Sequence, residues 1–257
     1  HSTFTRHISQ DTTHRHFSFG ILNTAVDTLK NQDRTCRYCG SLYNTAVGTQ
    51  ALAAQTGVSG VVGNTAVGYQ AGINVSTGGD NTFVGRDAGY QMRSGSNNVA
   101  VGRESAEDYQ ATQCVAIGYY AGALNQGRGI NNNYSFPGYS VAVGALAGMT
   151  KQGNYSTALG YRAGGVNQGQ LSVALGHNAG KETQGFNSVA VGVYSGENFQ
   201  AQNCVSIGKG AARNNQQQLS IAIGLAAANT NQATRCIAIG EYAGLNYQSQ
   251  FNLKHHI

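Results

Sequence analysis

The sequence predicts an all-β fold, a single-chain parallel β-solenoid or β-roll with about 16 residues per coil. Three observations predict it. An aliphatic run ends in glycine twelve times, at Gly48, Gly68, Gly85, Gly102, Gly118, Gly144, Gly160, Gly176, Gly192, Gly208, Gly224 and Gly240, and from Gly144 onward the spacing is always 16 residues. With that glycine as position 0, position −1 is always Val, Ile or Leu, and position −3 is Val, Ile or Thr. Position +8 is Gln in nine successive repeats. A period this short is one turn of a stacked coil.

Residues 1–40 lack the repeat except at Asn23-Thr-Ala-Val-Asp27, which reads as a degenerate capping coil behind a polar arm carrying His1, His7, His14 and His16. Residues 41–250 hold about 12 coils, and 251–257 form a C-terminal end in which His255 and His256 read as frayed. In each coil the run up to position −1 alternates with period two, so it reads as a short strand with its aliphatic face turned inward. The glycine stands where the backbone turns tightly or approaches a neighbour. Position +3 is always Ala or Ser, and +4 is Gly or Ala except at Leu52, which also implies a crowded site.

The Gln column comprises Gln110, Gln126, Gln152, Gln168, Gln184, Gln200, Gln216, Gln232 and Gln248. Stacked coils set these amides about 4.8 Å apart, close enough to bond amide to amide along one edge. Position +1 keeps no single chemistry and belongs to an outer surface. One coil gains less from two aliphatic side chains than ordering its residues costs. Side-by-side self-association is therefore expected, with the small residues at −2, +3 and +4 permitting close approach.

The period breaks between Gly118 and Gly144, where ten extra residues fall in an insertion at 127–137. Insertions in solenoids become loops on one face, often the binding face. Arg128, Asn131, Asn132, Asn133, Tyr134, Phe136 and Tyr139 offer planar stacking and amide hydrogen bonds that suit a sugar, so they are the candidate ligand-binding residues.

Segments such as Ser188-Val-Ala-Val-Gly192, Ser220-Ile-Ala-Ile-Gly224 and Asn64-Thr-Ala-Val-Gly-Tyr-Gln-Ala-Gly72 resemble the head repeats of trimeric autotransporter adhesins and the similar repeats of phage and large-virus fibre proteins. The resemblance implies a left-handed parallel β-roll, association of three rolls about a common axis, and attachment to a host or matrix without catalysis. The bacterial heads commonly use a slightly shorter repeat. No catalytic residue is carried over by this resemblance.

Cys114, Cys204 and Cys236 share position −4, which is otherwise Ser or Asn. Coils two apart separate such residues by about 9.6 Å, beyond the reach of a disulfide. They read as buried free thiols, which suit assembly in a reducing compartment and favour a viral fibre over an exported adhesin. Cys36-x-x-Cys39 with His14 and His16 matches no established zinc spacing, and no metal or other cofactor is expected.

The net charge of +5 is spread singly, without the basic footprint that nucleic acid requires. No apolar run reaches the length that crosses a bilayer, so no membrane insertion is expected. Glu104, Glu107 and Asp108 are the densest carboxylates, with Glu104 read as outward and solvated, and no pair is set up for glycoside cleavage. The expected function is a non-enzymatic fibre or head on a virion or cell surface, partnered by copies of itself as a homotrimer or higher assembly and by a surface glycan or receptor. The alternatives are a self-assembling filament or capsid-decorating scaffold, and an exported bacterial adhesin.

Overall fold

The computed structural model describes residues 43–54, 63–127 and 138–249, with the backbone of short strands at Ala25–Val26 and Leu253–His255. The chain is an all-β parallel solenoid of about 12 turns with about 16 residues per turn. Each repeat contributes one three-residue strand at positions −3 to −1. These strands stack in register into a 14-stranded parallel sheet that also takes in Ala25–Val26 and Leu253–His255. The degenerate repeat at residue 25 thus pairs with the first coil. The C-terminal end extends the last coil through the pairing of Leu253 with Ile237, where the sequence suggested fraying. A second, six-stranded parallel sheet is built from positions +6 to +8 and runs from Val166–Gln168 to Asn246–Gln248.

The recurring glycine is required sterically. Gly176 has φ +129°, and a Cβ placed on it would lie 2.8 Å from the carbonyl oxygen of Gly192 in the next coil. Each glycine meets the next in the same way, so the column lets coils stack at backbone contact.

Inside and outside are reversed relative to the expectation for the strand. Ala at position −2 is fully enclosed, as at Ala158, Ala174 and Ala190, whereas the flanking aliphatics at −3 and −1 face outward and are half-exposed. The small residues at +3 and +4 also line the interior rather than an interface between chains. The reason is cross-section. A 16-residue turn encloses room for Ala, Ser and the flat Gln amide, but not for two β-branched side chains per strand. Where the first coils are longer, at 17–20 residues, the interior holds Phe83, Leu52, Val75 and Met92 instead.

Those wider coils have their own polar column at position −4. The Oδ1 atoms of Asn44, Asn64, Asn81 and Asn98 accept from the backbone N–H of the same position one coil on, at 2.7–2.9 Å. The column ends at Cys114, after which Ser or Cys occupies −4 and the buried polar work passes to Gln.

The turns use left-handed backbone at fixed places. Positions −5, +2 and +4 have positive φ in every described coil, and +7 joins them from Tyr109 onward. Asn and Asp tolerate this conformation, but Tyr, Leu and Arg also adopt it here, as at Tyr155, Leu171 and Arg162.

Candidate binding surfaces

The nine Gln side chains are enclosed and form a structural column. Each Nε2 from Gln126 onward donates to the position −3 carbonyl of its own coil, as Gln184 does to Val173 at 2.8 Å and Gln232 to Ile221 at 2.7 Å. This ties the two sheets together across the interior. From Gln168 to Gln248 each amide also donates to the Oε1 of the next Gln, at 3.0–3.2 Å. This unbroken run coincides with the six-stranded sheet. Upstream, Gln110 donates to Gln126, but the Oε1 atoms of Gln110, Gln152 and Gln168 are buried without a partner. The sequence predicts an amide-to-amide column along one edge; the amide-to-amide bonds are present, and the column lies in the interior.

The outward face of the long sheet is an apolar stripe running the length of the roll. Ile117, Leu159, Leu175, Ile207 and Ile239 at position −1 are each about 40 % exposed, and the −3 residues lie beside them. The stripe widens at its corner, where Tyr139 and Tyr155 stack with ring centroids 5.3 Å apart and Leu171 follows at 60 % exposure.

Of the candidate ligand-binding residues, only Tyr139 lies among those described. Arg128, Asn131, Asn132, Asn133, Tyr134 and Phe136 fall outside them, as do Cys36, Cys39 and the N-terminal histidines. The insertion leaves the fold undisturbed, since Val115–Ile117 pairs with Val141–Val143 in the same register as every other coil.

Two charged nodes were missed by reading the sequence coil by coil. Glu104 is 5 % exposed, not solvated, and accepts from Arg86 Nη2 at 2.7 Å and Arg103 Nε at 2.8 Å. A hydrogen bond from the Tyr120 hydroxyl, reinforced by the two guanidinium groups, holds its carboxyl below the usual range and pushes Tyr120 up to about 12. Nearby Glu107 shifts the other way, first through burial and then through the charges of Glu104, Asp87 and Asp108. The second node is Glu197, also 5 % exposed, which accepts from Arg213 Nε at 2.7 Å and Asn178 Nδ2 at 3.2 Å, with Lys181 Nζ at 3.9 Å. Arg213 lies over the Tyr194 ring at 4.7 Å, and His177 bridges Tyr194 to Tyr161 through ring contacts. The signal was present in the sequence: Lys181, Glu197 and Arg213 share position +5 on consecutive coils, an alternation of charge down one column.

Comparison with protein-family models, curated proteins and solved structures returns no match.

Among the described residues, no three His, Cys, Asp or Glu side chains are grouped to hold a metal ion. Cys114, Cys204 and Cys236 are free, buried thiols. Cys204 Sγ donates to the Gln217 carbonyl at 3.0 Å and Cys236 Sγ to that of Ser249 at 2.9 Å, a hydroxyl-like use of the thiol. Burial pushes the Cys114 and Cys204 thiols up, away from the thiolate form that reacts. No described helix is long and apolar enough to cross a membrane.

Proposed function

We propose that this chain is a non-enzymatic segment of a fibre or head that associates laterally with copies of itself and mediates attachment to a host or surface, on a virion. The observation that carries the reading is the outward aliphatic stripe. Half-exposed Val, Ile and Leu recur at one place on every coil, whereas scattered exposed apolar residues would not keep a column. Covering each such side chain gains about 1 kcal/mol, and the gain accumulates over the coils. A second copy presents the same stripe with the same spacing, which makes it the fitting cover.

The resemblance to adhesin and viral fibre heads supports a threefold arrangement and an attachment role. The buried free thiols support assembly in a reducing compartment, as for a virion protein. Sedimentation equilibrium of the whole chain, compared with a Leu175→Asp/Ile207→Asp variant, tests the association. A trimer that becomes a folded monomer is expected; a monomer in both sinks the association. Adhesion of the labelled chain to cells or matrix tests the attachment role, and a chain that adheres to none would be a scaffold.

A further inference from the structure

The second sheet has an outward face of its own. Its strands end in the buried Gln of each coil, and the residue before that Gln points out: Phe199, Asn215, Asn231 and Tyr247 on four consecutive coils. Because Gln216 and Gln232 reach through the interior to Val205 and Ile221 of the long sheet, this face lies on the side opposite the aliphatic stripe. It stays open when copies pack along that stripe.

An open groove of about 460 Å³ runs along this face, within the range of small-ligand sites. Among the described residues, Asn215, Gln217, Asn231, Ala233, Tyr247 and Ser249 line it with Gln232 and Gln248, and none of these is charged. Its amides are already set in line: Gln217 Nε2 donates to Asn215 Oδ1 at 2.6 Å, and Asn215 Nδ2 to Asn231 Oδ1 at 2.9 Å. That chain fixes the amide planes before any ligand arrives and leaves Asn231 Nδ2 and Gln217 Oε1 for other partners. At one end stands the Tyr247 ring, 79 % exposed.

We propose that this groove is a binding site for a neutral oligosaccharide. Sugar hydroxyls both donate and accept, matching a wall of amides, and the C–H face of a pyranose packs against an exposed aromatic ring. A charged glycan would lose hydration without meeting an opposite charge, and an apolar segment would leave the amides unpaired. The inference rests on the attachment reading and deepens it by placing the ligand on the second sheet rather than on the insertion.

The test is an array of neutral and acidic oligosaccharides probed with the whole chain, with Tyr247→Ala, Tyr247→Phe and Asn215→Asp, and with a chain lacking 128–137, each first shown to fold by circular dichroism. The groove is supported if neutral sugars are retained by the whole chain, Tyr247→Phe and the deletion, while Tyr247→Ala and Asn215→Asp weaken retention about tenfold or more. Retention that survives both weakening variants but is lost with the deletion overturns the groove and leaves attachment through the insertion standing. Retention of acidic sugars alone, or of none, also overturns it, with cell adhesion still deciding the attachment reading separately.

Discussion

Gly127 and Gly138 touch, although they are eleven residues apart in sequence. A Cβ on Gly127 would lie 2.8 Å from the Cα of Gly138, and both residues lie against Cys114 Sγ. Gly127 N–H bonds forward to Gln152 and Gly138 N–H back to Thr112, so the ends of the insertion are pinned to coils on either side.

That contact makes the insertion removable. Consecutive Cα atoms are about 3.8 Å apart, so Gly127 can be joined to Gly138 with little movement. Deleting 128–137 also returns the Gly118-to-Gly144 spacing from 26 residues to 16. The shortened chain is expected to melt at or above the temperature of the parent, since a shorter loop costs less to close. A loss of cooperative melting would contradict this.

The interior amides are expected to matter more than their number suggests. Gln216 Nε2 donates to Val205, Ser220 and Gln232, and its Oε1 accepts from Gln200. Gln216→Leu strands buried donors and acceptors on both sides and should cost about 1–3 kcal/mol in urea denaturation. Ser76→Ala breaks only the exposed bond from its hydroxyl to the Arg93 carbonyl and should change stability by under about 0.5 kcal/mol. Equal effects from the two would mean the column is not what holds the sheets together.

Much of this fold was legible in the sequence because stacking imposes one steric rule per coil. Gly176 and its counterparts announce the backbone contact, and Gln at +8 announces a column. Which way the strand faces was not legible. Val173 and Leu175 alternate with Ala174, and a hydrophobic pattern assigns the aliphatics to the core. Only the narrowness of a 16-residue turn decides that Ala goes in. The corners were hidden for a related reason. Positive φ at Tyr155 and Leu171 is imposed by the closure of the coil, against the preference of those side chains. Of the candidate binding surfaces, the apolar stripe follows from the same inversion, and the groove appears only when Asn215, Asn231 and Tyr247 are read as a column.

The glycine column gives a sharp prediction. Gly176→Ala sets a methyl group 2.8 Å from the Gly192 carbonyl oxygen at a φ that L-residues rarely adopt. Both faults act on backbone that cannot yield without separating two coils. The expected loss is about 3 kcal/mol or more. Gly210→Ala also meets a left-handed backbone, φ +66°, but one that Ala226 and Tyr194 adopt at the same position of neighbouring coils, and its methyl group meets only the end of the Asn229 side chain, at 3.2 Å, so it should cost far less. Parallel thermal melts of the two variants check the ranking.

The Glu104 node makes stability depend on pH at both extremes. Tyr120 has its pKa raised from 10.0 to about 12 in the folded chain by the bond it donates to Glu104. A raised value means its contribution is whole below pH 10 and is lost as the pH climbs from 10 toward 12. Tyr120→Phe should flatten the melting curve's dependence on pH across that window. On the acid side two carboxyl groups oppose each other. Glu107 is held above its ordinary 4.5, so protonating it as the pH falls toward 4.5 favours the folded chain. Glu104 is held below 4.5, so its contribution is whole above that value and is lost as the pH falls further. Melting temperature should therefore rise on mild acidification and then fall. Glu107→Gln should abolish the rise, and Glu104→Gln should shrink the fall while lowering stability at neutral pH, where the two arginines would lose their buried partner. A melting temperature that falls steadily from neutrality in the parent would show that the two groups do not titrate in opposition.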